Sequence, residues 1–153
     1  MKIKHFDIHK HSNVFIIAEL SANHNGSLAV ALETVRAAKR AGADCIKLQT
    51  YTADTITIDS KKEDFLIKGT LWEGRNLYDL YQEAFTPWEW HQAIFEEAER
   101  NGLVCFSSPF DKTAVDFLES LAVPCYKIAS FENTDLPLIK KVASKNQKLL
   151  FWM

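Results

Sequence analysis

Four times along this chain a short apolar run of strand type leads into a segment of helical period, and that alternation leaves few folds open. "VFIIAEL" (14–20) precedes "SLAVALETVRAAKRAG" (27–42), where Leu28, Ala31, Leu32, Val35 and Ala38 share one helical stripe and Gly42 offers a stop. "DCIKLQT" (44–50) is the second run. The helix of "TPWEWHQAIFEEAERNG" (86–102) opens on a capping signature: Thr86 accepts from the helix start, Pro87 fits the first turn and Glu89 reaches back. "LVCFSSPF" (103–110) is followed by "DKTAVDFLESLA" (111–122) with Asp111 as cap, and "PCYKIAS" (124–130) by "NTDLPLIKKVASKN" (133–146) with Thr134 as cap. "KLLFWM" (148–153) starts a fifth strand. The order βαβαβαβα predicts an α/β fold with a parallel sheet. Periodicity alone does not separate half of a (β/α)8 barrel from a doubly wound sheet. Four or five units cannot close an eight-stranded barrel, so the sheet is open or the chain is truncated.

One connection is out of scale. From Tyr51 to Phe85 the chain runs far beyond the roughly 2–6 residues of an ordinary βα loop. It carries aromatic and charged residues and a short helix expected at 76–85, and a loop of that size at the carboxyl end of a strand covers a site.

Composition bounds the function more loosely. The 153 residues make about one domain, and a net charge of −2 gives no reason to expect nucleic acid or a membrane surface as partner. No apolar run approaches the roughly 20 residues of a membrane span, and "MKIKHFDIHKHSNV" lacks a signal-peptide core. Cys45, Cys105 and Cys125 sit inside strand-like runs without C-x-x-C spacing, which reads as reduced core thiols of a cytoplasmic protein, not as a zinc site.

The chemistry lies in the strands. Side chains alternate along a strand, so Cys45, Lys47 and Gln49 share a face, as do Cys125, Lys127 and Ala129, and as do Ile17 and Glu19. An ammonium group amid apolar neighbours is costly unless an anion meets it. Glu19, Lys47 and Lys127 each approach the carboxyl end of a strand, where α/β proteins place their active sites. A single lysine there is as well explained by snorkelling to solvent; two lysines with a carboxylate at the matching place favour a site. Ser107 and Ser108 end the third strand and Ser130 the fourth, and hydroxyls beside ammonium groups suit phosphate. The turn "SANHNGS" (21–27) adds Asn23, His24 and Asn25, with His24 equally readable as an acid/base, a sugar contact or a plain turn residue. The expected ligand is a compact anion carrying phosphate.

At "IIAELSANHNGS", "GADCIKLQT", "FSSPF" and "YKIAS", in that order and spacing, the chain resembles the sialic acid synthase family over about 14–146. Through "KEDFLIKGTLWEGRNLYDLYQEAFTPWEWH" it is most similar to the pseudaminic acid synthase branch. The resemblance implies the N-terminal half of a (β/α)8 TIM barrel, about four βα units plus the start of a fifth strand. The remaining half-barrel and a small antifreeze-like domain would lie beyond residue 153. It implies condensation of phosphoenolpyruvate with an open-chain N-acetylated amino sugar to a nonulosonic acid and phosphate, with a divalent metal, Mn2+ or Mg2+, and a homodimer for full-length members. Carried over residue by residue, it places Lys47, Ser108, Lys127 and Ser130 at phosphoenolpyruvate, Ser108 standing where other members have threonine. Glu19 matches the active-site carboxylate, and Trp72, Arg75 and Tyr78 of the long loop are expected at the sugar. The family's phosphate-binding turn would begin where Phe151 and Trp152 stand, and none of the five histidines matches its two metal ligands. The expectation is a truncated chain, inactive alone. Two rival readings remain: a Schiff-base aldolase with Lys127 or Lys47 as nucleophile, and a non-catalytic half-barrel that self-associates through its open edges.

Overall fold

The structure, a computed structural model, describes residues 3, 4, 6, 7 and 14–145, and residues 2 and 148–151 as backbone. His5, His9, His11, Asn146, Trp152 and Met153 lie outside the described residues.

A two-residue hairpin, β1 (Lys2–Ile3) with β2 (Phe6–Asp7), comes first. Then β3 (Ile17–Glu19), α1 (Leu28–Arg40), β4 (Cys45–Thr50), α2 (Ala53–Ile56), α3 (Leu77–Ala84) and α4 (Trp88–Arg100) follow. The rest is β5 (Val104–Pro109), α5 (Lys112–Ser120), β6 (Cys125–Ile128), α6 (Leu136–Ala143) and β7 (Lys148–Phe151). Strands β3 to β7 form one parallel sheet in sequential order, each beside its chain neighbour. A doubly wound sheet reverses its order at a switch point; this one does not. Successive right-handed crossovers in one direction place every helix on the same side, leaving the other face as a barrel interior. The chain thus has the α/β fold of the first part of a (β/α)8 barrel.

Local chemistry explains most boundaries. Ser27 caps α1 by accepting from the Val30 amide, Lys39 and Arg40 sit in its last turn, and Gly42 takes the chain out at φ +90°. Asp111 caps α5, accepting from the amides of Thr113 and Ala114. Two expected caps move. Asp135, not Thr134, accepts from the Leu138 amide and starts α6. Pro87 occupies the cap position of α4 with no side-chain bond, and buried Thr86 instead donates to the Ser21 carbonyl at 3.4 Å, tying the turn after β3 to the start of α4. The helix expected at 76–85 is α3, capped by Asn76. The N-terminal hairpin escapes sequence reading because two-residue strands carry no period.

The two sheet faces differ as the pleat dictates. Ile46, Leu48 and Cys105 turn outward to meet Ala31, Val35, Ile94 and Ala98 of α1 and α4. Tyr126 and Ile128 meet Val115 and Leu118 of α5 and Leu138 and Val142 of α6. On the inner face Cys45, Val104, Phe106 and Cys125 pack together under Ile3 of the hairpin. The three thiols are buried and free, and burial raises each well above the usual thiol range, Cys125 to about 12.

Candidate active site

Register carries the polar residues to one end of the inner face. Glu19 pairs with Lys47 and Gln49 with Ser108, while Ser107 opposite Tyr126 sets Ser108 level with Lys127. The Lys47 ammonium, 3% exposed, lies 3.1 Å from a carboxylate oxygen of half-exposed Glu19. Lys127, 9% exposed, has its pKa lowered, first by burial and then by the charge of Lys47, with Glu19 and Glu132 pulling the other way. Two ammonium groups therefore feel each other at one mouth, where an anion would relieve the cost of both.

Glu19, Lys47, Gln49, Lys127 and Ser130 line a cleft of about 360 Å³ above that mouth. Its apolar wall is Tyr51 and Phe110, ring centroids 5.5 Å apart and edge-to-face, backed by Tyr81 at 5.7 Å from Tyr51. Burial pushes the Tyr51 hydroxyl up to about 12, so this wall stays neutral. The long loop adds Ile56, Trp72, Leu80 and Ala84 to the lining. Phe131, 89% exposed, stands at the rim, and Ser21 sits at the lip with a left-handed φ of 47°.

Ser108 does not line the cleft surface. It is buried on the same face, and its hydroxyl has no hydrogen-bond partner among the described residues. His24 is buried in the turn after β3, its Nδ1 accepting from the Gly26 amide at 3.2 Å and its ring edge-on to Trp90. Burial lowers its pKa, opposed by the Ala84 backbone. It lines a second cleft, also about 360 Å³, that shares Ala22, Trp72, Leu80 and Ala84 with the first. Exposed Asn23 turns back to donate to the Leu20 carbonyl at 3.0 Å.

Arg75 and Tyr78, expected at the sugar, are engaged within the loop. Arg75 pairs with Glu83 at 2.6 Å and lines a shallow groove elsewhere, and the Tyr78 hydroxyl donates to Asp54 at 2.7 Å. Both bind the loop to itself, while Trp72, expected with them, lines the cleft. Sequence reasoning missed Glu132, in the 3-10 turn Ser130–Glu132 after β6. One of its carboxylate oxygens is buried without a hydrogen bond among the described residues, and burial raises its pKa against the pull of Lys127. Gln49 was legible, two residues past Lys47 on the same face.

Among the described residues no group of three or more His, Cys, Asp or Glu side chains stands where it could hold a metal ion. The divalent ion implied by the resemblance does not fit a site built from these residues alone, and no step below passes through it. No helix among them is long and apolar enough to cross a membrane.

Comparison with known proteins agrees with this fold. The profile of the NeuB family matches residues 34–151. Pseudaminic acid synthase of Campylobacter jejuni is 54% identical over 96% of this chain and 42% of its own length. N,N'-diacetyllegionaminic acid synthase of Legionella pneumophila is 38% identical over 89% of this chain and 38% of its own. In structure, the spore coat polysaccharide biosynthesis protein SpsE of Bacillus subtilis superposes with a TM-score of 0.76 at 32% identity, over 99% of this chain and 39% of that one. The chain spans about two fifths of the length of the curated relatives it matches.

Proposed function

The chain belongs to the NeuB family, and on that premise we propose that its cleft is the phosphoenolpyruvate half of a nonulosonic acid synthase site. The observation that carries this is the convergence of Lys47 and Lys127 on one mouth beside Glu19. Phosphoenolpyruvate offers a carboxylate and a phosphate, so each lysine gains an anionic partner and the ligand is held in register. Ser130 at the cleft and the orphaned Ser108 hydroxyl supply aimed hydrogen bonds. Held so, the enol carbon attacks the aldehyde of an open-chain acetamido sugar, water captures the carbon left electron-poor, and phosphate leaves as its bond to that carbon breaks. Glu19 and Glu132 are the carboxylates placed to handle the protons. Glu132, whose pKa burial raises, suits a donor, and Glu19, paired with Lys47, suits an acceptor. Identity to the Campylobacter relative favours pseudaminic acid as the product. The proposal extends to a cytoplasmic enzyme, to a homodimer, and to Mn2+ or Mg2+ held by residues other than those described.

The test is release of inorganic phosphate from phosphoenolpyruvate with an acetamido sugar and Mn2+. It is run on this chain alone and on the chain supplemented with the C-terminal portion of the Campylobacter relative. Release in the supplemented sample only is the expected result; neither release nor phosphoenolpyruvate binding in either sample removes the reading.

The lowered pKa of Lys127 favours one other chemistry, Schiff-base formation. Borohydride with pyruvate would then leave a covalent adduct on Lys127 or Lys47. An unmodified mass excludes it.

A further inference from the structure

Behind the cleft, on the outer side of the same strand ends, three buried polar side chains form a chain whose proton positions are fixed by their partners. The Nδ1 of His91 lies 3.2 Å from the Pro87 carbonyl, which can only accept, so Nδ1 carries the proton. The Nε2 is then an acceptor, and the Thr50 hydroxyl, 2.9 Å away, donates to it. Thr50 in turn accepts from Ser107 at 2.7 Å. All three residues are fully buried, and the ring lies edge-on to Phe117, centroids 5.3 Å apart. A second bond on the same side, from the Trp88 indole to the Tyr51 carbonyl at 3.3 Å, joins the same helix start to the residue after β4.

The pleat makes this chain a lever on the site. Gln49 and Tyr51 flank Thr50 and face the cleft, and Ser108 follows Ser107 onto the inner face. Fixing Thr50 and Ser107 from behind therefore fixes the direction of the three side chains in front. The arrangement requires a neutral imidazole, because protonation would remove the acceptor that Thr50 uses. Burial keeps it neutral, opposed by the Pro87 and Trp88 backbone and by Glu89, the charged group that acts on it.

We propose that His91, acting through Thr50 and Ser107, is a positioning residue that aims Ser108 and Gln49 at the bound anion. This rests on the phosphoenolpyruvate reading above. His91 touches no substrate; it sets the angle of groups that do.

The experiment is titration of phosphoenolpyruvate into the chain by calorimetry, comparing wild type with His91→Phe, His91→Gln and Thr50→Val. Phenylalanine keeps the ring and removes the acceptor. Glutamine returns an acceptor near the place of Nε2. Valine keeps the shape of Thr50 and cuts the chain in its middle. The expected result is affinity about tenfold lower for His91→Phe and Thr50→Val, the scale of one lost hydrogen bond, with His91→Gln closer to wild type. Circular dichroism checks that each variant is folded, and Thr50→Val with His91→Gln decide the matter should His91→Phe fail to fold. Equal affinity in wild type and every folded variant overturns the positioning role while leaving the site reading intact. No binding by wild type itself overturns both.

Discussion

The inner face of the sheet has two ends made from the same strands, and they are built for opposite purposes. Toward the strand starts, Cys45, Val104, Phe106 and Cys125 close on one another beneath Ile3. Toward the strand ends, Lys47, Gln49, Ser108 and Lys127 occupy the same face two residues further on. Among the described residues the first end holds no buried side-chain nitrogen or oxygen without a partner. The second holds two cations in mutual repulsion and, among the described residues, a hydroxyl without a partner and a carboxyl short of a hydrogen bond. Stability is concentrated at one end and unmet bonding capacity at the other, within a few ångströms of shared backbone. The lesson is that the unmet groups mark the ligand's place because apolar alternatives at those positions would fold at least as well.

The largest effect expected is on the apolar end. Phe106→Ala should cost about 3–5 kcal/mol in denaturant unfolding, because the surrounding side chains cannot collapse into the space. A smaller loss would mean that this end is less tightly packed than it looks. Next comes pH. His91 is held at about 4, below its ordinary 6.5, so the unfolded chain takes up its proton first as pH falls. Stability is full above about pH 6.5 and falls between there and pH 4, by about 3 kcal/mol for this group. Glu97 and Asp116, held low by Arg36 and Lys141 respectively, also lose stability in acid, so the quantity to measure is the difference from His91→Gln. A wild-type profile parallel to that variant's would contradict the assignment.

The polar end should show the reverse pattern. Ser108→Ala should weaken phosphoenolpyruvate binding by about 1 kcal/mol, one hydrogen bond, with unfolding free energy changed by less than about 0.5 kcal/mol, because the hydroxyl has nothing to lose in the free protein. Stability falling with unchanged affinity would place Ser108 in the core, not the site.

What could be read in advance follows the same division. Strand alternation is a strict period of two, so it sets Lys47 with Gln49 and Lys127 with Ala129 near the carboxyl ends of their strands, and the register then brings them to one face. The helical stripe even carried a signal that went unread: His91, Ile94 and Ala98 fall on the buried side of α4, and a histidine there needs a partner. Loops have no period. Nothing in "WEGRNLYDLY" says that Arg75 turns to Glu83 and Tyr78 to Asp54 while Trp72 faces the cleft. Glu132 was hidden for the same reason, since a 3-10 turn gives no rule for which side chain points inward. The caps at Thr86 and Thr134 failed more narrowly, each by competition with a neighbour able to hold the same place.

The claim on which the rest depends is that Lys47 and Lys127 bind one anion together. Calorimetric titration of phosphoenolpyruvate into wild type, Lys47→Met and Lys127→Met tests it directly. Saturable binding by wild type, weakened roughly 10- to 100-fold in either variant as a charged hydrogen bond is lost, is the result predicted. Affinity unchanged in both folded variants would contradict it.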